Sequence, residues 1–116
     1  MSGIERRKFR RAIIITEVEI VAGGDKLLAP TRDISIGGLF LQTTTVPPAD
    51  TQVRLQFHLE QEKPPIETVG RIAYIVPGRG AGVEFTELSA EDRGRIEWFV
   101  ASAPAAPLPT DQLPSI

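Results

Sequence analysis

The sequence predicts a mainly β fold, a small antiparallel barrel of five or six short strands with one helix packed against it. Segments rich in β-branched residues, several with alternating polar and apolar positions, recur at short spacing between turns rich in Gly and Pro. A single helical pattern follows the last of them. The length of 116 residues fits one domain.

The first half of the chain predicts two strands. Residues 12–22 form one β-branched strand, residues 23–25 a turn, and residues 27–31 a second strand in which Pro30 indicates an edge or a bulge. Alternation in the first strand places its acids and its apolar side chains on opposite faces. The acids are Glu17 and Glu19, and the apolar residues are Val18 and Ile20.

The second half predicts three further strands and the helix. Residues 52–60 alternate cleanly, residues 66–76 form a strand that is bent or bulged at Gly70, and residues 81–85 form a short strand. Ser89 is a good N-cap for a helix whose first turn is acidic. Its buried stripe is expected to comprise Ile96, Phe99 and Val100, with Trp98 at the edge of the core.

The chain divides into three segments by composition. Residues 1–11 form a basic arm with five basic groups and one acid, whereas the remaining chain has eight basic groups and fourteen acids. Residues 12–102 form the barrel and helix, and residues 103–116 form a Pro-rich tail that we expect to be disordered. With no apolar leader or membrane-length apolar run, we expect a cytoplasmic protein without membrane insertion.

Catalytic and metal-binding patterns are lacking in the sequence. The chain has no cysteine and one histidine, His58, on the outward face of a predicted strand. A cysteine nucleophile is therefore excluded, a lone histidine on an outward strand face gives no sign of a Ser-His-Asp arrangement, and metal-ligand spacing is missing. The glycine-rich residues 78–82 lack the lysine of a phosphate-binding loop and are better interpreted as a turn before a strand. We expect a binding protein and not an enzyme.

The basic arm indicates an anionic partner, which its charge alone does not identify. Nucleic acid, a lipid surface, an acidic protein and a phosphate ligand all fit a positive end on a negative body. Arg7 and Arg11 are four positions apart and can converge on one anion. A guanidinium group can donate two parallel hydrogen bonds to phosphate oxygens, and it can also stack on aromatic rings. A solubilising arm or a weakly nucleic-acid-binding tail is the simpler interpretation of this segment taken by itself.

A second polar motif lies at residues 33–38. In an extended segment Asp33 and Ser35 share one face, which presents a carboxylate and a hydroxyl side by side. A carboxylate can accept hydrogen bonds from the N1–H and amino group of guanine. Gly37 and Gly38 permit close ligand approach. The alternative is a turn in which Asp and Ser cap local amides.

Together the two motifs resemble the PilZ domain, the bacterial receptor module for cyclic di-GMP. The family pattern is RxxxR followed by [D/N]xSxxG. Arg7 and Arg11 match its first part, and Asp33, Ser35 and Gly38 match its second. Residues 80–93 also resemble the last strand and helix entry of the family, so the resemblance covers residues 5–101.

The resemblance implies a six- or seven-stranded barrel that binds cyclic di-GMP and needs no other cofactor. Arg7 and Arg11 would hold phosphates and stack on guanine, Asp33 and Ser35 would read a guanine edge, and Gly38 would keep the surface open. In this family an arginine at the position of Arg6 goes with an intercalated ligand dimer, which predicts two ligands per chain.

The leading hypothesis is a stand-alone cyclic di-GMP receptor in bacterial signalling, of the kind that controls motility or biofilm formation. Binding would order the arginine arm, and an unidentified partner protein would recognise the changed surface. One alternative is a PilZ-like adaptor of pilus or motility machinery that does not depend on nucleotide. Another is a nucleic-acid binder, which the acidic body and the few exposed aromatic residues disfavour.

Overall fold

The computed structural model describes residues 9–103, and residues 1–8 and 104–116 lie outside the description. Within residues 9–103, seven strands precede one helix. The strands are β1 (Ala12–Ile13), β2 (Glu17–Ala22), β3 (Asp25–Ser35), β4 (Gly38–Leu41), β5 (Gln52–Phe57), β6 (Ile66–Val76) and β7 (Gly80–Glu87), and the helix is α1 (Ala90–Ser102).

Six of the strands close into an antiparallel barrel. The order along the sheet is β1-β3-β2-β5-β6-β7-β4, and a further pairing of β3 with β4 closes the ring and leaves β1 as an extra strand. Closure removes most of the free edges that an open sheet would expose. The predicted fold class, a small mainly β barrel with one C-terminal helix, is confirmed.

The barrel interior is filled by the inward-facing half of each strand. Strand β5 shows this most clearly, because Val53, Leu55 and Phe57 are buried and the residues between them are exposed, as the alternation predicts. The ring of Phe57 lies parallel to that of Phe85 on β7, with 6.3 Å between centroids. Burial of such side chains, each contributing roughly 1.5–3 kcal/mol, stabilises the barrel.

The prediction of one unbroken strand over residues 12–22 is wrong, because residues 14–16 interrupt it. The hydroxyl of Thr31 takes part in the hydrogen bonding at this break. Thr31 Oγ1 donates to the Ile14 carbonyl at 2.6 Å and accepts from the Thr16 amide at 3.0 Å. Because the Thr31 hydroxyl satisfies these backbone groups, the chain can leave the regular strand pairing without burying unpaired polar groups.

Strand β3 is longer than predicted and contains a bulge. Its register with β4 shifts between Thr31 and Asp33, so one extra residue lies on β3. Before the shift Ala29 and Thr31 are buried, and after it Ile34 joins the core. Because side chains alternate along a strand, the extra residue exchanges the two faces and turns Asp33 and Ser35 away from the core.

Helix α1 begins as the sequence predicts. Ser89 is the N-cap, and its hydroxyl accepts a hydrogen bond from the Asp92 amide at 3.1 Å. Ile96 and Val100 are buried and Phe99 packs against the core. The position predicted for Trp98 is wrong, because this side chain is 63% exposed. Two residues along a helix rotate by about 200°, so a helix anchored through Ile96 directs Trp98 outward.

Two glycines allow the irregular backbone of the last two strands and of the turn between them. The register between β6 and β7 shifts at Gly70, as predicted, and a Cβ there would lie 2.7 Å from the carbonyl oxygen of Glu84. Gly78 has a φ of 77° in the turn before β7, which confirms the turn interpretation of residues 78–82.

Among residues 9–103 no helix has the length and apolarity that crossing a bilayer requires.

Candidate functional site

Arg11 and Asp33 form a buried ion pair, although 22 positions separate them. The Nε of Arg11 donates to Asp33 Oδ1 at 2.8 Å, and its Nη2 donates to the same oxygen. The two side chains are only 2% and 6% exposed. Hydrogen bonds between ionised groups are about twice as strong as neutral ones. The last arginine of the basic arm is thus joined to the acid of the second motif.

The pairing of β1 with β3 brings these residues together. Ala12 lies opposite Ile34 and Ile13 opposite Asp33, so the antiparallel register delivers Arg11, which immediately precedes β1, to the same end of β3. Ala12 is completely buried and anchors this short strand in the core. The position of Arg11 is therefore fixed by strand pairing and core packing as well as by its ion pair.

Arg32 adds a second guanidinium to the Asp33 carboxylate. Its Nε donates to Asp33 Oδ2 at 2.9 Å, and its guanidinium carbon lies 4.1 Å from the centroid of the Phe40 ring. The Phe40 ring in turn lies 6.3 Å from that of Tyr74. Sequence reasoning missed Arg32, because neighbouring residues of a regular strand point to opposite faces and only the bulge lets both side chains meet.

Ser35 lies at the hairpin between β3 and β4, next to the ion pair. Its hydroxyl oxygen accepts a hydrogen bond from the Gly37 amide at 3.1 Å, which is the local contact that the turn interpretation predicts. The Gly37 carbonyl accepts from the Phe85 amide at 2.9 Å and fixes this turn against β7. Gly38 is buried in β4, with Ser35 on one side and Glu84 on the other.

The three charged side chains that meet here, Arg11, Arg32 and Asp33, together carry a net positive charge. One carboxylate, Asp33, faces the guanidinium groups of Arg11 and Arg32. A partly buried cluster of this kind attracts anions more strongly than exposed charges do, because the local dielectric is lower. The arrangement suits a ligand with phosphate oxygens, which guanidinium groups bind as planar forks.

A separate charged cluster lies along the neighbouring strands. Arg71 on β6 pairs with Glu84 on β7 and with Asp50, whose Oδ1 lies 2.7 Å from the Arg71 Nη1. The hydrogen bonds to Glu84 and then to Asp50 raise the pKa of Arg71 above its usual value. Arg71 therefore stays charged at every pH at which the protein would be studied.

Of the other arginines in the basic arm, two lie outside the described residues and one is described. Arg6 and Arg7 lie outside the described residues, so their predicted roles stay predictions. Arg10 contacts the residue that follows α1, because its Nη2 donates to the Ala103 carbonyl at 3.2 Å.

Within residues 9–103 no group of three or more His, Cys, Asp or Glu side chains could hold a metal ion.

Comparison with known proteins identifies a family match. The family model for the PilZ domain matches residues 5–102, which is most of the chain. A search of curated protein sequences gave no match.

Two solved structures share the fold. The structure of the Bacillus subtilis inhibitor of motility MotI/DgrA is similar with a TM-score of 0.71 and 21% identity, over 83% of this chain and 49% of that one. The Borreliella burgdorferi PlzA protein in complex with c-di-GMP is similar with a TM-score of 0.61 and 19% identity, over 84% of this chain and 42% of that one. The chain thus spans less than half the length of either protein.

Proposed function

Because the chain belongs to the PilZ family, we propose that it is a receptor for cyclic di-GMP that passes the signal to a partner protein. The observation that carries this proposal is the meeting of Arg11 with Asp33 beside Ser35. Residues of both family motifs thereby contribute to one place on the barrel. The PlzA protein, which has the same fold, has been described in complex with c-di-GMP.

The chemistry of the cluster matches that of the ligand. Cyclic di-GMP offers two phosphodiesters and two guanine bases, so it requires cationic forks, stacking surfaces and acceptors for the guanine edge. Arg11 supplies a fork, and Asp33 and Ser35 supply oxygen acceptors. Since Arg11 already binds Asp33, ligand binding would exchange this ion pair for contacts of each side chain with the ligand.

The basic arm completes the proposed site. Arg7, four positions before Arg11, would take a phosphate or stack on guanine, and the segment before Phe9 would become ordered as it closes over the ligand. Arg6 would support an intercalated pair of ligand molecules, giving two ligands per chain. The partner protein would then recognise the surface that the ordered arm creates.

Titration calorimetry with cyclic di-GMP tests this proposal. We expect the intact chain to bind with a micromolar or smaller Kd, a binding free energy of about 8 kcal/mol or more, and with two ligands per chain. Arg7→Ala should abolish measurable binding, because it removes a proposed ligand contact. Arg54→Ala is the matched control, since Arg54 is an exposed arginine on β5.

Two results would speak against the proposal at different levels. Failure of the intact folded chain to bind cyclic di-GMP would refute the receptor function. Binding of one ligand per chain would refute only the intercalated pair.

The second candidate is a protein-interaction adaptor that does not depend on nucleotide. The closed Arg11–Asp33 pair favours it, because a buried ion pair can serve the fold alone. A protein of the same fold, MotI/DgrA, is described as an inhibitor of motility. For such an adaptor, partner binding would be the same with and without cyclic di-GMP and would be unaffected by Arg7→Ala.

A further inference from the structure

We propose that Arg32 is a positioning residue of the cyclic di-GMP site, which keeps the Asp33 carboxylate paired and oriented when Arg11 turns to the ligand. This inference rests on the proposed receptor function. It assigns a role to a residue that lies outside both sequence motifs and that the bulge in β3 brings to the site.

The two arginines bind different oxygens of Asp33. Arg11 occupies Oδ1 and Arg32 occupies Oδ2, so loss of the first contact leaves the second intact. Asp33 is only 4% exposed, and a carboxylate at that depth is strongly disfavoured without a partner. Because Arg32 stays paired with Asp33, Arg11 can move to the ligand without leaving the buried Asp33 carboxylate unpaired.

Arg32 is held in this position independently of any ligand. The bulge sets its backbone, and its guanidinium lies over the ring of Phe40, which is 1% exposed. Such a cation–π contact attracts the guanidinium group to the face of the ring. The Arg32 side chain is also 33% exposed, so its charge reaches the surface where an anion would approach.

A double-mutant cycle separates this role from direct ligand contact. Cyclic di-GMP is titrated by calorimetry into the intact chain, Arg32→Gln, Asp33→Asn and the double variant. We expect Arg32→Gln to weaken binding by about tenfold or more in the parent chain, and by less than about threefold in the Asp33→Asn background, where no buried charge needs a partner. Arg54→Gln, the matched control, should leave the affinity unchanged.

A conservative replacement provides a second test. Arg32→Lys retains a cation that can pair with Asp33 Oδ2 but loses the planar guanidinium over Phe40, so it should weaken binding less than Arg32→Gln does. Unfolding by urea in the absence of ligand shows which variants are folded, and only folded variants enter the comparison. Equal losses from Arg32→Gln in both backgrounds would assign Arg32 to direct ligand contact and overturn the inference, as would unchanged affinity in Arg32→Gln.

The parent chain itself provides a measurement that no folding defect can obscure. In a ¹⁵N-labelled sample, the Nε–Hε signal of Arg11 should shift on addition of cyclic di-GMP, while that of Arg32 should stay at its hydrogen-bonded position. A shift of the Arg32 signal as large as that of Arg11 would contradict the inference. If the parent chain does not bind at all, the receptor proposal fails, and the role of Arg32 fails with it.

Discussion

Arg11 and Asp33 lie in separate motifs, and the fold joins them as a buried ion pair at the end of β3. The pair connects the described end of the basic arm to the hairpin that carries Ser35. A buried ion pair adds little net stability, but removal of one partner leaves an uncompensated charge. Arg11 and Asp33 are therefore needed for the stability of the folded chain as well as for the proposed site.

Asp33→Ala should destabilise the folded chain by about 3–5 kcal/mol, because it leaves the buried guanidinium of Arg11 without its carboxylate. Urea denaturation in the absence of ligand measures this loss. Asp25→Ala is the matched control, since Asp25 is exposed at the start of β3. Equal stability losses in the two variants would show that the ion pair is unimportant to the fold.

Gly80→Ala should destabilise the barrel by about 1–3 kcal/mol or more, because the new Cβ would overlap the Leu41 carbonyl oxygen where β7 pairs with β4. Gly24→Ala has no atom within 4 Å of the new Cβ and serves as the control. Thermal denaturation of both variants checks the prediction. A Gly80→Ala chain as stable as the Gly24→Ala chain would mean that the strands are not as tightly paired as the structure shows.

Gly94→Ala should stabilise the chain by about 1 kcal/mol, because alanine favours a helix interior and the new Cβ meets no atom within 4 Å. Gly78→Ala should have the opposite sign, since its φ of 77° disfavours any residue with a Cβ. The two changes are compared by chemical denaturation. Destabilisation by Gly94→Ala would contradict the open environment of that helix position.

Cyclic di-GMP should raise the free energy of unfolding if it binds the folded chain alone. At a free concentration of 100 times Kd, a single site gives about 2.7 kcal/mol. The increase should be measurable as a higher Tm in thermal denaturation with ligand, and it should disappear in Arg7→Ala. A Tm that rises equally in the parent and in Arg7→Ala would show that the ligand binds elsewhere.

Much of the fold could be predicted because its signals are local. Alternation identified the buried face of β5, and Ser89 with its acidic first turn marked the start of α1. The break between β1 and β2 could not be predicted, since it depends on the hydroxyl of Thr31 from another strand. The exposure of Trp98 depends on how α1 is oriented against the barrel, which the helical pattern alone does not fix.

The two polar motifs could be found in the sequence, whereas the contacts between their residues could not. The family motifs identify Arg11, Asp33 and Ser35, yet nothing in them indicates that Asp33 binds Arg11. The contribution of Arg32 depends on a one-residue bulge, which reverses the alternation and has no sequence signature here beyond the nearby Pro30. Long-range pairing and bulges are properties of the assembled sheet, so local patterns carry little information about them.

Chemical-shift mapping of the ¹⁵N-labelled chain with cyclic di-GMP tests most directly whether the two motifs form one ligand site. We predict that the largest saturable shifts fall on the amides of Arg11, Asp33, Ser35 and Gly37, with little change along β5 or in α1. Saturable shifts confined to β5 or α1, or no shifts at millimolar ligand, would contradict the proposed site.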